Sequence, residues 1–314
     1  MVSRSDASWS TALVECVPNF SEGTRQDVMD AIQAAAESVR GAWVLDRHAD
    51  AVHNRMVLTI AGTPGPVAEA AFRATARAAQ LIDVSQHRGV HPRIGATDVV
   101  PFVPLGATSM RVCVELAVRV GRRIAAELDV PVYLYGEAAR NPRRRRLPDV
   151  RRGEYERLRR HLAADPALAP DFGPPRVGTA GATAVGARRP LVAYNVTLAT
   201  HDLSVAKAIA RAIRESSGGL PAVQARGFRT AEPDVVQVST NLLDTQRTPM
   251  TLVFERIREE AEQHGVTVLE SELVGMVPAE AVADVTRQAL KFGRLEPNAI
   301  LETRLLEQVL GAAE

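Results

Sequence analysis

Apolar and polar positions along this chain repeat one order of elements twice. Residues 13–17 (LVECV) are an apolar run closed by Pro18, which predicts a short strand opening into a loop. Thr24-Arg-Gln-Asp27 has the form of a capping box with Asp in place of Glu or Gln, and Val28, Ile32 and Ala35 give the helix after it an apolar face. Strands are predicted over 42–46 and 55–61, joined by the polar loop 47–54. An Ala-rich helix over 66–81, a strand over 99–103, a long helix over 110–128 and a strand over 131–135 follow. Strand, helix, strand, strand, helix, strand is the split βαβ arrangement.

The second half repeats it. A strand is predicted over 191–198, a helix over 203–214, strands over 222–228 and 235–238, a helix over 251–264, a strand over 266–269 and a last helix over 279–290. The expected fold is therefore α/β in the α+β sense. It has two subdomains, each a split-βαβ (ferredoxin-like), largely antiparallel sheet with helices on one face, and a ligand groove between them. The Gly/Pro stretch 169–181 reads as the linker. It divides the chain into an N-terminal extension (1–12), a first subdomain (13–181) and a second (182–314).

Composition narrows the possible functions. The 314 residues suit two domains, and 46% hydrophobic residues supply a core. Thirty-eight basic against 37 acidic residues leave a formal charge of +1, which argues against steering of the whole protein toward nucleic acid or membrane. Cys16 and Cys113, both in apolar surroundings, are too few for a disulfide framework or a four-thiolate zinc site. No signal peptide and no apolar run of about 18 residues is present, so a soluble, cytoplasmic protein is expected.

Candidate chemistry concentrates in HRGVHPRIGATD (87–98). His87 and His91 have the helical spacing of a metal pair, but Gly89 and Pro92 oppose a helix there, and no carboxylate cluster accompanies them. No metal is expected. General acid/base catalysis suits imidazole better, with Arg93 as an anion partner and Asp98 as an orienting carboxylate; a His that only caps the loop remains the alternative. His53, Asn54 and Arg55 stand immediately before a strand that could hold them in a site. Asn19 and Ser21 lie in PNFSEG (18–23), at a helix N-terminus suited to carboxylate or phosphate, though simple capping accounts for them as well. The tract 140–160 holds ten Arg against three acidic residues and reads by default as a solvated face, with docking of a polyanionic ligand tail as the second reading. No GxGxxG, GxxxxGK[ST] or GxSxG motif occurs, which disfavours the usual nucleotide enzymes and serine hydrolases.

Nine collinear segments carry a resemblance. They are LVECVPNFSEG (13–23), HNR (53–55), HPRIGATDVVPFVP (91–104), PVYLYGEAAR (131–140), RRGEYE (151–156), APDFGP (169–174), GATAVGAR (181–188), QVSTNLLD (237–244) and LVGMVP (273–278). In them the chain resembles glutamate formiminotransferase, the folate-dependent enzyme of histidine breakdown. The resemblance implies two α/β subdomains with a folate groove, tetrahydrofolate as co-substrate and formiminoglutamate as donor. It places the catalytic histidine at His91 and the folate loop at Gly173, Gly178, Thr179, Ala180 and Gly181. Asn19, Ser21, Asn54, Arg55, Arg93 and Asp98 then become candidate substrate or folate contacts, and His87 becomes structural or peripheral. A homodimer, folate polyglutamates as ligands and a separate cyclodeaminase downstream are further implications. Formyl transfer between 5-formyltetrahydrofolate and glutamate, or folate binding without catalysis, are the alternatives on the same scaffold.

Overall fold

The computed structural model describes residues 12–311, apart from Val52, Val90, His91 and Ala231. They fold as two compact units, the first ending at Arg188 and the second beginning at Arg189.

The first unit runs β1 (Leu13–Cys16), β2 (Asn19–Phe20), α1 (Gln26–Glu37), β3 (Ala42–Asp50), β4 (Arg55–Gly62), α2 (Pro64–Leu81), β5 (Thr97–Leu105), α3 (Met110–Leu128) and β6 (Val132–Gly136). Two short helices, α4 (Leu147–Val150) and α5 (Glu154–His161), precede β7 (Thr183–Ala187). β1 and β2 are one strand broken at Pro18, lying antiparallel between β4 and β5, with β3 on the outer side of β4. That is the expected split βαβ core. Two strands then extend it in parallel, because β7 pairs with both β5 and β6. β7 follows the expected 181/182 boundary in sequence but belongs to this first sheet.

Alternation along the strands divides the sheet's side chains between two faces. Phe20, Met56, Ile60, Phe102 and Leu134 pack with Ile32 of α1, Ala71 of α2 and Leu116 and Ile124 of α3. Tyr133, Tyr135, Val99 and Ala184 pack instead with Ile94 and with Leu158 of α5, so α4 and α5 cover part of the second face. The anticipated capping box at 24–27 does not form. Glu22 instead holds the turn before α1, its carboxylate accepting the N–H groups of Thr24 and Arg25 at 2.9 Å each. Cys16 and Cys113 are buried, and burial pushes the Cys113 thiol up to about 12, consistent with inert core residues.

The second unit runs β8 (Val192–Leu198), α6 (Leu203–Ile213), β9 (Val223–Arg229), β10 (Val236–Leu242), α7 (Met250–Gln263), β11 (Val268–Val274), α8 (Ala279–Leu290) and α9 (Leu301–Gly311). Its sheet order, β11-β8-β10-β9, is antiparallel throughout and repeats the core order of the first unit. Asp202 caps α6 by accepting the Ser204 N–H at 2.8 Å. Val196, Leu198, Ile209, Val238, Val253 and Ile257 form its core. No described helix is long and apolar enough to cross a membrane.

α6 lies so close over β9 that a Cβ at Gly227 would stand 2.6 Å from the backbone of Ala206 and Lys207. Gly227→Ala must therefore push the helix outward. A loss of about 1–3 kcal/mol is expected from such overpacking, read as a lower urea midpoint with unchanged slope.

Candidate active site

Four chain segments, 19–23, 50–55, 151–156 and 178–182, converge around the 87–98 stretch, joined by backbone and side-chain hydrogen bonds. Ala96 N–H donates to the Ala180 carbonyl (2.8 Å) and Ala182 N–H to the Ile94 carbonyl (2.9 Å), zipping the start of β5 to the start of β7. The approach needs residues without side chains. A Cβ at Gly95 would overlap the Ala182 carbonyl oxygen. One at Gly181, which sits at φ +70, would overlap the Ile94 carbonyl oxygen. Val84 N–H donates to the Thr179 carbonyl at 2.8 Å, and Gly181 N–H to the Gly178 carbonyl at 3.1 Å, so the whole turn 178–181 rests on the 84–96 region.

The PNFSEG loop joins from another side. Ser21 is buried, donating from its N–H to the Ala96 carbonyl (2.9 Å) and from its hydroxyl to the Gly95 carbonyl (2.8 Å). Asn19 donates from its side chain to the Val17 carbonyl across the Pro18 break (2.9 Å). Asn54, left-handed at φ +47, accepts the Gly23 N–H on its side-chain oxygen and donates to the Arg88 carbonyl, both at 2.8 Å. His53 is held by Asp50, which accepts from its N–H and faces its Nδ1, both at 2.8 Å.

Charged side chains lock the far end of the loop. The buried Arg93 guanidinium donates to Glu154 (2.8 Å) and in a fork to Glu156 (2.6 and 3.0 Å). Burial opposes the charge of Arg93, yet these carboxylates outweigh it and raise the pKa. Asp98 is also buried. One oxygen accepts the Ile94 N–H at 2.8 Å, and the other meets the Arg151 guanidinium. Arg93 and Asp98, expected as an anion partner and an orienting carboxylate, are thus occupied internally and shape the loop. The reason is burial: a charge removed from water needs a partner within the protein.

Arg55 differs from Arg93. Burial lowers its pKa first, and the like charge of Arg151 lowers it further, with Asp98 and Asp50 acting the other way. Two guanidiniums thus share one neighbourhood at the start of β4. The structure brings Asn19, Ser21, Asn54, Arg55, Arg93, Asp98 and Gly178–Gly181 together around the loop. It sets Gly173 apart, at φ +89 beside Val130 and Pro131 where the chain enters β6. His91 itself lies outside the described residues.

Three participants escaped the sequence reading. Arg151, Glu154 and Glu156 lay within a tract read as a solvated basic face. The signal available was the switch from arginines to the alternating Arg-Gly-Glu-Tyr-Glu of 152–156. Elsewhere the tract is held locally, with Arg144 bonded to Asp171 (2.8 Å) and stacked over Tyr133, and Arg140 stacked over Phe172.

Known proteins define the class to which this fold and site belong. Residues 13–188 match the formiminotransferase domain, N-terminal subdomain, and residues 193–302 match the formiminotransferase domain. The chain belongs to the formiminotransferase family, a class of group-transfer enzymes. It is 44% identical to a glutamate formimidoyltransferase of Thermoplasma acidophilum, over 94% of this chain and 97% of that one. To the glutamate formimidoyltransferase of Streptococcus pyogenes it is 42% identical, over 94% and 99% respectively. The formimidoyltransferase-cyclodeaminase of Gallus gallus is 47% identical over 90% of this chain, which spans 53% of that protein.

Glu22 offers a test of how α1 and this loop are held. Burial alone would raise its carboxyl, but hydrogen bonds from Arg25 and Thr24 prevail and hold it below the usual carboxylate range. A depressed folded pKa gives stability that is full above the unfolded value, about 4.3, and lost as pH falls through the folded value. Glu22→Gln should therefore cost about 1–2 kcal/mol near neutrality. In paired urea titrations the gap to the unsubstituted protein should narrow as the pH drops below the ordinary carboxylate range.

Proposed function

We propose that this chain transfers the formimino group of N-formimino-L-glutamate to N5 of tetrahydrofolate, giving 5-formiminotetrahydrofolate and glutamate. The observation that carries the reading is the family membership, which spans both units, with identities of 42–44% to glutamate formimidoyltransferases over nearly the whole chain. The convergence of the four segments on the loop 87–98 supports it.

The chemistry asks for one group that moves a proton twice. N5 attacks the amidine carbon, and its proton must leave as the N–C bond forms. The tetrahedral intermediate then sheds glutamate's nitrogen, which leaves well only when protonated. An imidazole can take the first proton as base and return it as acid to the leaving nitrogen, so that no net proton is consumed. His91 is the residue to which we assign this role. Holding both substrates in one place supplies a further part of the acceleration.

Arg55 suits a carboxylate of the donor. It lies buried beside Arg151 at the start of β4, and the negative charge of a carboxylate placed there offsets the repulsion between the two guanidiniums. Gly178, Thr179, Ala180 and Gly181 suit the folate, since they line the same loop and Gly178 and Thr179 are exposed. Gly173 is a more peripheral candidate.

His91→Ala should retain tetrahydrofolate binding and lose transfer by about 10²–10⁴-fold. Turnover of formiminoglutamate near that of the unsubstituted enzyme would remove His91 from the mechanism. Product from formylglutamate alone would favour the formyl-transfer reading.

A further inference from the structure

We propose that His87 and Asn54 are positioning residues for the transfer, holding the backbone that leads into position 91. The inference rests on the role assigned above to His91, and it gives His87 a function that sequence spacing did not.

Asn54 is the centre of the arrangement. Its side-chain oxygen accepts the Gly23 N–H, its side-chain nitrogen donates to the Arg88 carbonyl, and its own backbone carbonyl accepts from His87 Nε2 at 2.9 Å. A hairpin turn between β3 and β4 requires none of these bonds, because all three run to segments far away in sequence. A carbonyl oxygen only accepts, so His87 carries its hydrogen on Nε2. Nδ1 is buried and has no partner among the described residues, so among them the Nε2 bond is the ring's polar anchor.

The backbones on either side of this clasp are pressed together. A Cβ at Gly89 would overlap the His53 carbonyl oxygen, and one at Gly23 would stand 2.5 Å from both Arg55 N and Asp50 O. The clasp therefore fixes the chain on the N-terminal side of position 91. Arg93, with Glu154 and Glu156, fixes it on the other side. Residues that act through such rigid placement influence the rate of the chemical step more than substrate affinity, because a displacement of about 1 Å can cost about 10²-fold.

The experiment compares His87→Leu with His87→Gln, whose side-chain amide can donate from the place of Nε2. The Leu variant should lose about 10²-fold in kcat with both KM values unchanged, and the Gln variant should recover most of that loss. Amide hydrogen exchange followed by mass spectrometry should quicken in peptides covering 87–94 in the Leu variant only. A folded His87→Leu protein with the original kcat would overturn the proposal. So would a Gln variant as slow as the Leu variant, since the ring would then act by something other than donation. If His87→Leu does not fold, Asn54→Gly takes its place. It keeps the left-handed turn and the carbonyl but removes both side-chain bonds, and the same kcat loss with retained folate binding is expected; an unchanged kcat counts against the proposal. Should the unsubstituted protein transfer neither formimino nor formyl groups, the proposed function fails on its own. The clasp is then judged by exchange alone, and unchanged exchange at 87–94 overturns it.

Discussion

The first unit depends on a contact between two stretches of bare backbone, 94–96 against 180–182. Two hydrogen bonds cross it, and neither could form with a side chain at Gly95 or Gly181. The constraint sets where β7 begins, and so how it slots between β5 and β6. It also sets the level at which the 178–181 turn meets the 87–98 loop. A sheet position and a site geometry are thus fixed by the same pair of glycines.

Around that contact the polar groups are arranged for rigidity. Ser21, Asn54, Arg93 and Asp98 all resemble ligand-binding residues in type, yet each uses its hydrogen-bonding capacity within the protein. Buried polar groups are costly unless partnered, so a frame built from them has one low-energy arrangement. Arg151 belongs to the same frame through Asp98, and Arg55 shares its neighbourhood, with two guanidiniums and the carboxylates of Asp98 and Asp50 close together at the start of β4.

Much of the fold was legible in the sequence because period-2 and period-3.6 patterns are strong in both halves. The helices at 110–128 and 279–290 match the apolar periodicity residue for residue. β7 was not legible. Its Thr-Ala-Val-Gly-Ala has little of the β-branched or aromatic character that marks a strand, and Gly186 is small because a Cβ there would meet the Tyr135 ring. α4 and α5 were hidden by arginines that cover a second face of the sheet with few apolar residues, Leu147, Val150 and Leu158 among them. Residue types pointed to the loops 18–23, 53–55 and 87–98, which hydrogen bonds join in the structure. They could not show that Arg93 is held by Glu154 and Glu156, because those glutamates lie about 60 positions away in sequence.

The proposed function places one-carbon transfer from an amino-acid donor to folate at this loop. The most direct measurement supplies formiminoglutamate labelled with ¹³C at the formimino carbon, together with tetrahydrofolate, and follows the label by NMR. The labelled carbon is expected to move to a folate N5 resonance while unlabelled glutamate appears in equal amount. Label that stays on the donor, or leaves it as free formamide or formate without reaching folate, would contradict it.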